Sequence, residues 1–194
     1  MSGHGFHVHG PHDHAVEHAS HGHHGGGDDF ASKIAVVTAV LSTLGALFSY
    51  EGGHTQNAAL LYKNEAAIQK TAASDQWNYY QAKSNKQNLA ELSVTLTKGD
   101  DRDKFIKAVD RYRGEKEEIK AKAEELEHAA KEANHEADHE MHLHGRWALA
   151  TTLLQISIAL SAIALLTRKK WLLLGVYGAS GVGCVIAGLA LLDV

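Results

Sequence analysis

Hydrophobic positions fall into two patterns along this chain. Three stretches are almost free of charge: 30–50, 147–167 and 171–192. Each is close to the ~20 residues that a helix needs to cross about 30 Å of hydrocarbon. Between the first and second stretches, residues 51–146 are polar and charged, with apolar residues returning every three or four positions. That period belongs to helices, and a Lys98-Gly99-Asp100-Asp101 break divides the segment in two. Gly99 suits the left-handed position after a helix, and Asp100 or Asp101 suits the next N-cap.

The first polar helix, 54–97, is read with the seam Leu61, Glu65, Ile68, Ala72, Asp75, Tyr79, Ala82, Lys86, Leu89, Ser93 and Leu96. The second, 102–145, has a cleaner one through Phe105, Val109, Tyr112, Lys116, Ile119, Ala123, Leu126, Ala130, Ala133 and Ala137. Glu118/Lys122 and Glu127/Lys131 are spaced to support the second helix at i,i+4. The expected architecture is all-α: an integral membrane protein with three transmembrane helices. A long antiparallel, coiled-coil-like hairpin (51–146) joins the first and second spans and continues both. Arg168-Lys169-Lys170 makes a tight turn between the second and third.

Composition changes the picture at the N-terminus. Residues 1–29 hold no Lys or Arg, and nine of the chain's 15 His: His4, His7, His9, His12, His14, His18, His21, His23 and His24. With Gly and Ser between them there is too little apolar surface to fold, so this reads as a disordered tail. It lacks the basic start and apolar core of a signal peptide. The formal net charge is −4, and residues 51–146 hold 15 Lys+Arg against 18 Asp+Glu, so no basic field exists and nucleic acid is not an expected partner. Lys33 and Arg168-Lys169-Lys170 lie on one side of the spans. The positive-inside rule then places the tail and the 168–170 turn in the cytoplasm and the hairpin outside.

Candidate chemistry is concentrated in His. Neutral imidazole binds zinc, nickel and copper, so the tail can take up such ions. A second set, His128, Glu132, His135, His139 and His142, has spacings of 4, 3, 4 and 3 and shares one outward helical face. The stripe spans about 20 Å, so only i,i+4 pairs can share an ion, and further ligands must come from another helix or subunit. The alternative is a solvated polar face. Inside it, His135-Glu136-Ala137-Asp138-His139 fits H-E-x-x-H, the zinc-peptidase signature. His142 and Gly145 replace the residues of the longer metzincin pattern, which leaves a membrane metallopeptidase as a remote alternative. The lone Cys184 sits in an apolar stretch, and there is no phosphate loop, dinucleotide glycine motif or nucleophile elbow.

Two further features concern contacts. Trp77, Tyr79 and Tyr80 offer more apolar area than a two-helix seam needs, and Gly178 and Gly181 give the third span a small-residue face. All five are candidate homo-oligomer contacts, with packing inside the chain as the alternative. Gln155 lies mid-span, where an amide marks interhelical hydrogen bonding or a pathway.

The run Asp75-Gln76-Trp77-Asn78-Tyr79-Tyr80-Gln81-Ala82-Lys83-Ser84, with Gly52-Gly53 and Leu154-Gln155-Ile156-Ser157-Ile158, resembles a bacterial membrane-protein family known as domain of unknown function 4337. The resemblance runs from about Lys33 to the C-terminus and omits the His-rich tail. It implies the architecture above and supplies no catalytic residue. The expected function is a non-enzymatic homo-oligomeric scaffold or pore-like assembly in the bacterial inner membrane, with a metal-responsive envelope protein as the alternative.

Overall fold

The computed structural model describes residues 29–193. The His-rich tail's candidate ligands, His4 to His24, therefore lie outside the described residues. The rest forms three helices: α1 (Asp29–Leu96), α2 (Asp100–Thr167) and α3 (Leu172–Leu191). Each contains a window long and apolar enough to cross a membrane. No helix break occurs at Gly52-Gly53: α1 runs through it, as α2 runs through 146–147. Gly99 takes a left-handed φ of 67°, and its carbonyl accepts the first bonds of α2 from Arg102 and Asp103. Gly99 itself is thus the N-cap. Asp100, Asp101 and Asp103 fill the first turn, where their charge faces the positive end of the helix dipole.

The chain divides into two compact units. One comprises the described residues up to Gln56 together with His142 onward; it is a three-helix bundle. Leu41, Leu154, Ile158 and Val176 form one core cluster, and Trp147, Ala150, Ala187 and Ala190 another. Phe48 packs against both, its ring 5.6 Å from that of Trp147. Close approach depends on small residues. A Cβ on Gly183 would lie 3.2 Å from the Ala150 carbonyl, and one on Gly52 would lie 3.3 Å from the Trp147 Cβ. Ser157 and Ser161 are buried, and their hydroxyls donate to the carbonyls of Leu153 and Ser157, which leaves no polar atom stranded in the core. Gly45 meets nothing within 4 Å; the close contact of α1 comes two turns later.

The second unit, 57–141, is an antiparallel pair of helical segments. On α2 the expected seam holds at all ten positions: six are buried, and Phe105, Tyr112, Lys116 and Leu126 are half-buried. On α1 the period holds but its phase moves by one residue. The buried and half-buried row is Ala59, Tyr62, Ala66, Gln69, Ala73, Gln76, Tyr80, Lys83, Gln87, Ala90 and Val94. Alanines at seven-residue spacing dominate its first half (Ala59, Ala66, Ala73), and Ala123, Ala130 and Ala137 repeat the spacing on α2. Alanine seams let two backbones approach closely. Dispersion between backbones then replaces the burial of large side chains.

Candidate functional site

The one-residue shift decides what the hairpin presents to its surroundings. Leu61, Ile68, Leu89 and Leu96, read from sequence as seam residues, are 62–75% exposed. They lie on a row of α1 about 100° around the helix from the seam, in which Tyr79 and Ala82 are also exposed and Glu65, Asp75 and Lys86 interrupt the apolar residues. The corresponding outer surface of α2 is charged: Glu118, Glu125 and Glu132 are exposed beside His128 and His135.

Trp77 and Tyr80 are half-buried against the hairpin, and Tyr79 is exposed at its edge. Tyr80 lies in the seam and Tyr79 beside it, the reverse of the sequence expectation. The Trp77 and Tyr80 rings meet edge-on at 5.6 Å. Lys116 on α2 lies 4.9 Å over the Tyr80 ring and donates to the Gln87 side-chain oxygen at 3.2 Å. Lys83 makes an ion pair with Glu115 and stands 5.2 Å from the Tyr79 ring and 5.6 Å from that of Tyr112. Glu115 holds the Lys83 ammonium above its ordinary pKa, with Tyr79 adding to the effect. Reciprocally, Lys83 holds the Glu115 carboxyl below its usual range. Lys70, at 3.2 Å, and the Trp77 indole act together to lower the Glu127 carboxyl. Lys63 bonds Asn134 at 2.6 Å and Asp138 at 2.7 Å. These pairs share one antiparallel register. The ten-residue run 75–84 therefore works as a polar and aromatic joint that fixes how α1 meets α2. Glu127 and Lys122 are diverted from their expected i,i+4 partners: Glu127 bonds Lys70 across the hairpin, and Lys122 bonds Glu125 at 2.8 Å.

An open groove lies along the alanine half of the hairpin, with Ala66, Ala67 and Ala130 in its lining and Lys63, Lys70 and Lys131 around them. Lys63 and Lys70 are already committed to α2 partners, so the groove has little free charge to offer a ligand.

The His stripe faces outward as expected. His128, Glu132, His135 and His142 are exposed and His139 is half-buried. His128 Nδ1 lies 3.4 Å from Glu132, and His135 Nδ1 lies 3.9 Å from Glu136. Among the described residues, no three His, Cys, Asp or Glu side chains converge on a point that would hold a metal ion. The H-E-x-x-H sequence lies on this same outer surface, with Glu136 exposed. Nearer the first unit's core, His144 Nδ1 lies 2.8 Å from the Gly52 carbonyl. Sequence spacing did not single out that contact.

On α3, Gly183 is buried in the bundle and Gly175 is exposed beside the Leu160 side chain, whereas Gly178 and Gly181 are exposed with open space above them. Gln155 faces away from the bundle and is exposed. Among the described residues nothing is hydrogen bonded to its amide, so it does not join helices within this chain.

Residues 30–193 match the family described as domain of unknown function (DUF4337), and the chain belongs to that family. Among curated proteins and solved structures nothing matches.

Proposed function

We propose that this chain is an integral membrane protein that assembles with copies of itself into a non-enzymatic scaffold or pore-like body. The hairpins form its extramembrane part. The exposed α1 stripe carries the reading. Leu61, Ile68, Leu89 and Leu96 repeat at helical spacing and are largely uncovered by the described residues. Covering a side chain of this kind is worth about 1.5–3 kcal/mol, so leaving four in water is costly. A parallel copy held in the same bilayer brings an equally long, equally apolar stripe. Lys33 and Arg168-Lys169-Lys170 favour a cytoplasmic tail and turn, with the hairpin on the periplasmic side of a bacterial inner membrane.

Native mass spectrometry of the full chain in detergent tests this reading. We expect a homo-oligomer that falls to monomer when Leu61, Ile68 and Leu89 are all changed to Ser, with helicity retained. A monomeric unsubstituted protein would overturn the proposal.

A further inference from the structure

Gln155 is a polar side chain in an environment that cannot satisfy it. It lies near the middle of the apolar stretch 147–167 and points out of the three-helix bundle. In hydrocarbon an amide has no water to bond, and polar side chains in spans face protein or a water-filled cavity. Thr152, also exposed, solves the problem locally by donating to the Ala148 carbonyl at 2.8 Å. Among the described residues Gln155 makes no such bond. Its carboxamide carries two donor hydrogens and an acceptor oxygen, more than one spare backbone carbonyl can match.

The surface around it is shaped for a helix. Ala148, Thr152, Gln155, Ala159 and Ala162 are all exposed and follow one another at intervals of 4, 3, 4 and 3. Small flanks of this kind allow a second helix to approach closely. A neighbouring outward row is different: Leu149, Ile156 and Ile163 are large and apolar, and suit lipid.

We infer that this α2 face binds the same face of a second copy of the chain, with the two Gln155 amides hydrogen bonded to each other at the middle of the membrane. Two features select this occupant. A carboxamide is self-complementary, since each can donate to the other's oxygen. A second copy inserted in the same sense also carries its Gln155 at the same depth, which an unrelated helix does not guarantee. The inference rests on the membrane assembly proposed above and names one surface within it.

Thiol cross-linking in native membrane vesicles tests it. In a Cys184→Ala background, Thr152→Cys and Ala159→Cys place thiols beside an intact Gln155, and Leu149→Cys places one on the lipid-facing row. Oxidation with iodine should link Thr152→Cys and Ala159→Cys into dimers and leave Leu149→Cys as monomer. Adding Gln155→Leu should remove the cross-link and weaken association in detergent by about tenfold, whereas Gln155→Asn should retain most of it. Equal cross-linking of Leu149→Cys would mean random collision and would overturn the inference. If the unsubstituted protein is oligomeric but Thr152→Cys and Ala159→Cys do not link and Gln155→Leu leaves the mass unchanged, this surface is wrong and the assembly stands. A monomeric unsubstituted protein would remove both.

Discussion

The two strands of the hairpin have the same seam period and opposite outsides. Both segments turn rows of small residues inward at heptad spacing. Outward, α1 shows Leu61, Ile68, Leu89 and Leu96, while α2 shows Glu118, Glu125, Glu132 and the His stripe. A helix that spends its alanines on its partner keeps its large side chains for something else. On the α2 side of the hairpin only Ile106 and Met141 are exposed large apolar residues, and the exterior is mostly charged. The difference separates what holds the hairpin together from what the hairpin can hold.

Substitutions that exchange those roles should have the largest effect. Ala123 is fully buried in the seam, so Ala123→Glu strands a charge between the helices and should cost 3 kcal/mol or more of stability, on the order of a lost buried ion-pair partner. Chemical unfolding followed by circular dichroism would measure it. Glu125→Ala, on the outer face of the same helix, should stay within about 0.5 kcal/mol. If the two were equally mild, the alanine seam would not be the contact that matters.

Overpacking gives the next contrast. Ala66→Leu forces a larger side chain into the close seam and should cost about 1–3 kcal/mol. Ile68→Ala, two residues along and outward, should leave subunit stability nearly unchanged and reduce only the oligomeric mass. A pair of equal stability losses would show that the stripe is already covered within one chain.

Acid should act on the joint between the strands. Glu115 and Glu127 both have carboxyls lowered from the ordinary 4.5, so their contribution is complete above that pH and disappears as pH falls through the lowered values. Lys83 is raised from 10.5, so its share is complete below that pH and is lost on strong alkalinisation. Thermal midpoints of the full chain should therefore be flat through neutral pH and fall below about 4.5. The Glu115→Gln protein should begin lower and show a shallower acid fall. An unchanged acid profile would mean that these pairs carry no stability.

The smallest expected effect concerns metal. Elemental analysis of untagged protein with and without residues 1–28 should show zinc, nickel or copper following the tail, because the stripe His128–His142 brings no three ligands together in one chain. Stoichiometric metal surviving the truncation would reverse that assignment and place an ion between subunits.

The linear sequence determined most of the architecture. Three apolar windows, the break at Gly99, the turn at Arg168 and the seam of α2 all follow from local composition and period, because each depends on residues within a few turns of one another. The phase of α1 did not. Two rows one residue apart share the 3–4 period, and the row with the larger residues, Leu61, Ile68, Leu89 and Leu96, is the natural choice by hydrophobicity. Only the pairing with α2 shows that the row of Ala59, Ala66 and Ala73 faces inward, because close backbone approach and the Lys63, Lys70 and Lys83 ion pairs are satisfied together in that phase. The same holds for Trp77 and Tyr80, which the partner helix draws into the joint, and for Gln155. Sequence placed the Gln155 amide in the middle of an apolar window. Its outward direction came only from the packing of α1 and α3 against the opposite face of α2, and burial on one face determines which residues remain for a neighbour.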